Sequence, residues 1–302
     1  MASEVSPLIP TCYHSQPSEY GYEVNSSFNR EKASYRLGDS ASMLINMNFI
    51  ESKLNATPYG GSLWPVQLIV ERGGDDVVRL TLSSPGHEEG TLLTDPFAET
   101  ATTNGSKLDV LVTQNENEAF NVTVYRIDTP KNQTIFSTIF GPLIVGEGYI
   151  EFTTIIPSKY VIGMGSRMSS HQNPDFDDFE KWSFNSLDPS FGDSSLPSTH
   201  PFYMCLEPAT GNVHGVYLKS STPLQIGTIP APGFSFRAHM GAFRILVMAG
   251  PDPTDVSRQF TDIVGRPSLP PYWTFGFHMC RTTKGDKQES TYRSAYTQYK
   301  LK

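Results

Sequence analysis

The chain has 302 residues, of which 38% are hydrophobic and 12% aromatic, a composition typical of a folded protein with one large or two modest domains. Its net charge of -8 and the absence of any block of lysines and arginines argue against a nucleic-acid partner. No run approaches about 18 apolar residues, so no transmembrane segment is predicted.

Short strands dominate the central part of the chain, because runs rich in Val, Ile, Phe and Tyr alternate with turn residues. Gly73-Gly74-Asp75 separates two such runs and predicts a hairpin. So many short strands with frequent Gly and Pro breaks indicate a mostly β protein built as a β-sandwich. The predicted strands cover 66–71, 77–82, 108–113, 120–127, 134–139, 149–156, 202–207, 214–219, 234–238 and 243–248.

The segment 166–200 interrupts this series, since it is polar and rich in turn residues yet contains several aromatics. A connection this long is either functional or disordered, and the aromatics favour an ordered loop. It includes an acidic group whose spacing does not fit an EF-hand loop, so the group is predicted to be solvated. This group comprises Asp175, Asp177, Asp178 and Glu180.

A helix is predicted over 252–267. Asp252 can cap it, Pro253 suits the first turn, and Gly265 and Pro267 end it. Its apolar residues recur at helical spacing and form one face, and the helix is interpreted as a connector. That face comprises Val256, Phe260, Ile263 and Val264.

The run "PPYWTFGFHMCR" (270–281) is apolar on both faces, which is typical of a strand inside an α/β structure. No alternating βα pattern follows it. The sequence therefore predicts the first strand of a domain whose remainder is absent from this chain, followed by a polar tail (282–302).

Five Asn-X-Ser/Thr sequons lie before residue 135, where chance would give roughly two in the chain. They are expected to carry glycans only if the chain enters a lumenal compartment, and the N-terminus "MASEVSPLIP" shows no secretory signal. Chance therefore remains an alternative explanation. The candidate acceptors are Asn25, Asn55, Asn104, Asn121 and Asn132.

The chain's three cysteines are too few and too scattered for a disulfide framework or a metal site. Cys205 and Cys280 lie in apolar runs and are predicted to be buried free thiols. The histidines show no metal-ligand spacing, and His214, at a strand start, is expected to be satisfied by backbone groups. No phosphate-cradling glycine loop appears either, so neither a metal nor a cofactor is predicted.

Three segments in order resemble glycoside hydrolase family 31, and within it the α-glucosidases of the lysosomal acid α-glucosidase, maltase-glucoamylase and sucrase-isomaltase type. They are "HPFYMCLEPATGNVHGVYLKSS" (200–221), "AGPDPTDVSRQFTDIVGRP" (249–267) and "PPYWTFGFHMCR" (270–281). "PSKYVIGMG" (157–165) is similar to a family strand, and "IPTCYH" (9–14) resembles the end of a trefoil module.

The resemblance implies a galactose-mutarotase-like N-terminal β-sandwich followed by a truncated (β/α)8 barrel, and a parent enzyme that is lysosomal or extracellular. On this basis the chain divides into a trefoil remnant or linker (1–20), the sandwich (21–250), a connector helix (251–269), the first barrel strand (270–281) and an unrelated tail (282–302). Family members hydrolyse α-glucosides, such as α-glucan or maltose-type sugars, through two aspartates about 5 Å apart.

This chain departs from the family at the sites that matter for chemistry. Ser166 stands where a glutamate is usual after the Gly163-Met164-Gly165 turn, and neither catalytic aspartate has a counterpart, so no catalytic residue is predicted. Asp188 is a candidate contact to sugar hydroxyls, aligned with a one-residue shift. The alternative is that it is a turn residue before Pro189.

The main hypothesis is a fragment or splice form of an α-glucosidase, inactive alone because it lacks the catalytic barrel. A second is a carbohydrate-binding β-sandwich in which sugar faces pack on Trp182 and Phe191. A third is a structural fragment, unstable because Trp273, Phe275 and Phe277 would lie uncovered.

Overall fold

A computed structural model of the chain describes residues 22–24, 32–49, 66–83, 97, 105–115, 121–138, 144–146, 149–164, 174–177, 181–184, 200–220, 224–230, 232–238 and 242–276. The chain divides into two compact units, Met1–Val264 and Gly265–Lys302. The first contains all the strands and the one α-helix of the described residues.

The strands form two antiparallel sheets, which confirms the predicted β-sandwich. The strands are β1 (Tyr22–Val24), β2 (Lys32–Arg36), β3 (Ser42–Phe49), β4 (Val66–Gly73), β5 (Val77–Ser83), β6 (Leu108–Asn115), β7 (Asn121–Arg126), β8 (Gln133–Ser137), β9 (Ile144–Gly146), β10 (Tyr149–Ile155), β11 (Val161–Gly163), β12 (Lys181–Phe184), β13 (Phe202–Leu206), β14 (Val213–Lys219), β15 (Leu224–Ile229), β16 (Gly233–Ala238) and β17 (Phe243–Met248). The first sheet runs β1-β3-β4-β5-β17-β14-β13-β11. The second runs β12-β15-β16-β10-β8-β7-β6-β2, with β9 beside β10.

All ten strands predicted over 66–248 are present, with ends shifted by a residue or two. The predicted hairpin joins β4 and β5, whose last and first residues, Gly73 and Val77, are paired. Gly74 turns the chain with a φ of 75°, which favours glycine. The family-like segment 157–165 contains β11.

The main core lies between the two sheets and is made by alternate residues of the strands whose side chains the structure describes. In β7, Val122 and Val124 point inward and are buried, whereas Asn121, Thr123 and Tyr125, which alternate with them, are only partly buried. Phe152 of the second sheet meets Phe243 of the first edge to face, with ring centroids 4.9 Å apart. Such contacts across the sandwich stabilise the packing of one sheet on the other.

Helix α1 (Pro253–Val264) confirms the helix predicted over 252–267. The Asp252 carboxylate accepts hydrogen bonds from the amides of Thr254 and Asp255, at 2.8 and 2.9 Å, and so caps the first turn.

The buried face of α1 packs on the outer side of the first sheet in a second, smaller core. Val256 is buried and the Phe260 ring stacks on Phe202 at 4.4 Å. The predicted apolar face is wrong in one position, since Val264 is 44% exposed. Gln259 is buried instead, because its amide exchanges two hydrogen bonds with the backbone of Gly250, at 3.0 and 3.1 Å.

The strand predicted over 270–281 is wrong for its described part, where Tyr272–Phe275 form a 3-10 helix. The Pro271 carbonyl accepts from the Thr274 amide at 3.0 Å, and the Trp273 carbonyl accepts from the Gly276 amide at 3.1 Å. These local bonds occupy backbone groups that a strand would offer to a neighbour. Trp273 and Phe275 are 69% and 66% exposed. Residues 277–281 lie outside the described residues.

Candidate functional site

Several residues singled out from the sequence lie outside the described part of the chain, and their predicted roles stay predictions. They are Asp188, Phe191, Asn25, Asn55, Asn104, Asp178, Glu180, Cys280 and Phe277. The described candidates are Asn121, Asn132, Asp175, Asp177, Trp182, Cys205 and His214. Of these, Cys205 is a buried free thiol, as predicted.

The segment 166–200, expected to be one long loop, contains a strand. In β12, Trp182 is paired with Ile226, which is fully buried. Phe176 is also buried, with its ring centroid 5.2 Å from that of Phe234. Part of the aromatic content of this segment therefore belongs to the sandwich. The backbone of Trp182 thus lies in a strand and not in a loop, and the hypothesis that sugar packs on Trp182 and Phe191 stays a prediction.

The described part of the acidic group, Asp175 and Asp177, lies in a turn within this segment. The amide of Asp177 donates to the Asp175 carboxylate at 2.9 Å, and the Asp177 side chain is 84% exposed. Among the described residues, no three His, Cys, Asp or Glu side chains are grouped closely enough to hold a metal ion. An exposed acidic turn of this kind needs no ligand.

The two described sequons differ in what their asparagines do. The Asn121 side chain is part-buried: its amide donates to the Thr123 hydroxyl at 3.1 Å, and its carbonyl accepts from Ser137 and Thr138 at 3.2 and 3.3 Å. Asn132 lies in the turn between β7 and β8 and is exposed, as is Thr134, the third residue of its sequon. Only the second geometry leaves the asparagine side chain open to solvent.

Three carboxylates of the described residues are buried, and each lies against an arginine. Asp109 is bound by Arg36 and also accepts the Gly38 amide at 3.0 Å and the Tyr125 hydroxyl at 3.2 Å. Glu151 lies 3.1 Å from the Arg237 guanidinium, and Glu207 forms a two-point pair with Arg126. Each carboxylate is thus compensated within the sandwich.

The pair of Arg126 and Glu207 is the most enclosed, since both side chains have no exposed surface. The guanidinium donates to both carboxylate oxygens at 2.9 and 2.8 Å and to the carbonyl of Ala249. The Thr210 hydroxyl donates to the same carboxylate at 3.1 Å. His214, also fully buried, places Nδ1 3.1 Å from Oε1 of Glu207. The expectation that backbone groups satisfy this histidine is wrong.

Burial alone would raise the pKa of Glu207, but the hydrogen bonds from His214 and Arg126 outweigh it and lower the pKa to about 2. For His214, burial is the largest influence and lowers the pKa, with the Arg126 charge acting in the same direction and Glu207 opposing it. The sequence alone does not show that Arg126 and Glu207 form a pair, because the two residues lie 81 positions apart in the chain.

These carboxylates are unsuited to glycosidic bond cleavage. A retaining mechanism needs one carboxylate free to attack the anomeric carbon and a second, protonated one to donate to the leaving oxygen. Glu207 stays ionised at any ordinary pH, and its two oxygens are already held by Arg126.

The described residues also contain no helix long and apolar enough to cross a membrane.

Comparison with known proteins gives related sequences among the α-glucosidases. Over 241 residues, 77% of the chain, it is 29% identical to intestinal sucrase-isomaltase of Oryctolagus cuniculus. Over 150 residues, 49% of the chain, it is 33% identical to lysosomal alpha-glucosidase of Mus musculus. The chain spans only 13% and 15% of these relatives' lengths. No protein-family model matches the chain.

Solved structures show the same fold at low sequence identity. A dextranase of glycoside hydrolase family 31 from Flavobacterium johnsoniae matches 93% of the chain and 32% of its own, with a TM-score of 0.55 and 16% identity. The complex of ER glucosidase II matches 91% of the chain, with a TM-score of 0.59 and 10% identity. The related sequences and the shared fold together show that the chain is related to the α-glucosidases of glycoside hydrolase family 31.

Proposed function

We propose that this chain forms the N-terminal β-sandwich of an α-glucosidase-type protein that acts on α-glucan or maltose-type sugars, and that it does not cleave them by itself. The observation that carries the proposal is the state of the buried carboxylates: Asp109, Glu151 and Glu207 are each paired with an arginine. Sequence similarity to enzymes named alpha-glucosidase and sucrase-isomaltase supports the substrate class.

The experiment is a glucose-release assay with the purified 302-residue chain. Maltose and a longer α-glucan are incubated with it between about pH 4 and 7.5, with a complete α-glucosidase as the positive control. We expect no glucose above the buffer blank, because the three buried carboxylates of the described residues are paired with arginines and form no acid–nucleophile pair. Glucose release that follows the folded chain through size-exclusion chromatography would contradict the proposal.

Asp188 remains our candidate for a contact with sugar hydroxyls within a longer protein. A charged carboxylate forms strong hydrogen bonds to hydroxyl groups, and its amide isostere forms weaker ones. In a protein that contains this sandwich and has glucosidase activity, Asp188→Asn should raise KM for maltose more than it lowers kcat. An unchanged KM would assign Asp188 to the turn before Pro189 instead.

We also propose that Asn132 is a glycan acceptor when the chain is made in the secretory pathway, and that Asn121 is not. The Asn132 sequon is exposed, whereas a glycan on Asn121 would crowd an amide that bonds Thr123 inside a strand. The relatives named lysosomal and intestinal support lumenal processing.

Site-specific mass spectrometry tests this assignment after the chain is secreted from eukaryotic cells behind an added leader. Enzymatic removal of N-glycans in heavy-oxygen water should label Asn132 and leave Asn121 unlabelled. Asn132→Gln should remove that glycan without affecting secretion, and Asn121→Gln should reduce the secreted amount. Heavy labelling of Asn121 in the folded, secreted fraction would contradict the assignment.

A further inference from the structure

A fully buried charge cluster joins the two sheets at one end of the sandwich. Arg126 is the last residue of β7 in the second sheet, whereas Glu207 follows β13 and His214 lies in β14, both in the first sheet. Arg126 also donates to the carbonyl of Ala249, just beyond β17. We propose that Arg126, Glu207 and His214 form an acid-sensitive tie, which holds the sheets together at neutral pH and weakens as the pH falls toward 5.

The position of the proton on His214 follows from its neighbours. The ionised carboxylate of Glu207 can only accept, so Nδ1 of His214 must donate to it at 3.1 Å. The other ring nitrogen, Nε2, is then a lone-pair acceptor. It is buried and has no hydrogen-bond partner among the described residues. The neutral ring with its proton on Nδ1 is therefore the form that the folded site holds.

A second proton would be costly in this place. It would turn Nε2 into a buried N–H donor without an acceptor among the described residues, which costs the desolvation of that group. It would also create a second cation beside Arg126, with one carboxylate shared between them. The unfolded chain has neither restriction, because its imidazole is in water.

Among the described residues, no further charged group near the ring offsets this cost. From β13, Cys205 is paired with His214, but burial raises its thiol pKa to about 11, so it is neutral in this range. Asp128 lies beyond β7, 3.4 Å from Arg126, and bonds the guanidinium.

Helix α1 packs on the opposite face of the sheet. Val256 of α1 would touch a side chain at Gly215, the residue next to His214 in β14, and neighbouring residues of a strand face opposite ways. The charged residues of α1 therefore lie across the sheet from the imidazole. They are Asp255, Arg258 and Asp262.

The sign of the pH effect follows from proton uptake. The pKa of His214 is lowered in the folded state, so between the unfolded and folded values the unfolded chain binds the extra proton. The contribution of the neutral ring is thus complete above the unfolded value of about 6.5 and is lost as the pH falls toward the folded value. Glu207, with a pKa of about 2, is still ionised at pH 5 and adds no slope there.

The first test measures urea unfolding of the full chain at pH 7.5 and pH 5.0 for the native sequence, His214→Asn and His200→Asn. Asparagine can donate to Glu207 but does not titrate. His200 lies just before β13 and is exposed to solvent, so the desolvation of its ring against Phe202, which lowers its pKa, is largely relieved by water and should give only a small pH slope. The native folding equilibrium constant should fall about tenfold per pH unit in the sensitive interval. His214→Asn should lose most of this fall and His200→Asn little of it. Equal pH slopes in all three proteins would overturn the proposal.

The second test needs no variant and so stays informative if His214→Asn fails to fold. Nitrogen-15 NMR of the histidine rings reports the tautomer and charge directly. We expect one histidine to remain neutral with its proton on Nδ1 at pH 5.5. Finding every histidine ring charged at that pH, or none in the Nδ1–H form at pH 7.5, would overturn the proposal.

Discussion

Helix α1 packs closely on the first sheet at Gly215, where the absence of a side chain leaves room for Val256. A Cβ atom at this position would lie 2.4 Å from Cγ1 of Val256 and 3.2 Å from Cε2 of Phe202. Carbon atoms normally keep about 3.5–4.0 Å, so Val256 would have to retreat by more than about 1 Å. Overpacking of this kind costs about 1–3 kcal/mol, and replacing glycine in a strand returns about 0.5–1 kcal/mol. Gly215→Ala should therefore lower the free energy of unfolding by about 1–2 kcal/mol.

The refuting experiment is a double-mutant cycle measured by urea unfolding and far-UV circular dichroism. Val256→Ala alone should cost about 2 kcal/mol through the cavity it leaves. With both changes, the new methyl group occupies part of that cavity, so the double variant should be at least about 1 kcal/mol more stable than the sum predicts. Gly215→Ala combined with Val124→Ala, which lies in the second sheet, is the control pair, and the costs of these two changes should add. Additive costs for Gly215 and Val256 would refute the close-packing explanation.

Three further predictions test other parts of the sandwich. Gln259→Leu should lower the free energy of unfolding by about 2–4 kcal/mol, because it leaves both backbone groups of Gly250 without their buried partner. The control Ser257→Ala, on the exposed side of the helix, should change it by less than about 0.5 kcal/mol. Val122→Ile should stabilise the chain by up to about 0.8 kcal/mol, since Val122 lines an apolar cavity of about 20 Å³ between the sheets. Val124→Ile, in the same strand but away from that cavity, should destabilise it by about 1–3 kcal/mol, and the opposite order in thermal unfolding would contradict the cavity assignment.

The strands that could be predicted share a property that is visible in a single sequence. In β5 and β7, β-branched residues recur at the spacing of a strand and are bounded by turn residues. The missed strands lack one of these signals. β12 is four residues long in a polar stretch, and β15 contains Gly227 in its interior.

The strand prediction that is wrong at Tyr272–Phe275 has the opposite cause. Alternating aromatics gave a strong strand pattern, but a strand also needs a neighbour to receive its backbone groups. At Tyr272–Phe275 the two preceding prolines and the local hydrogen bonds favour a 3-10 helix. The pattern of a sequence indicates whether a segment tends to form a strand. The neighbouring strand that would accept its backbone hydrogen bonds comes from elsewhere in the structure.

The buried charges could not be predicted at all, because their partners are distant in the sequence. Arg72 is a clear example: it is fully buried and donates to the carbonyls of Gly38 and Leu108, at 2.7 and 2.9 Å. By composition such a residue belongs on the surface. Only the folded chain shows that it fastens β4 of one sheet to β6 of the other.

This placement of charge also bears on function. A carboxylate that stabilises a fold through an arginine must stay ionised and enclosed, whereas a catalytic acid must hold a proton and face the substrate. Glu207 meets the first requirement so fully, with a pKa of about 2 and no exposed surface, that it cannot meet the second. Replacing it by glutamine would therefore destabilise the sandwich by about 3–5 kcal/mol through the uncompensated charge of Arg126. In any longer protein with glucosidase activity, the same change should reduce the amount of folded enzyme and leave kcat per folded molecule unchanged. A fall in kcat at equal folded concentration would show that the cluster takes part in chemistry after all.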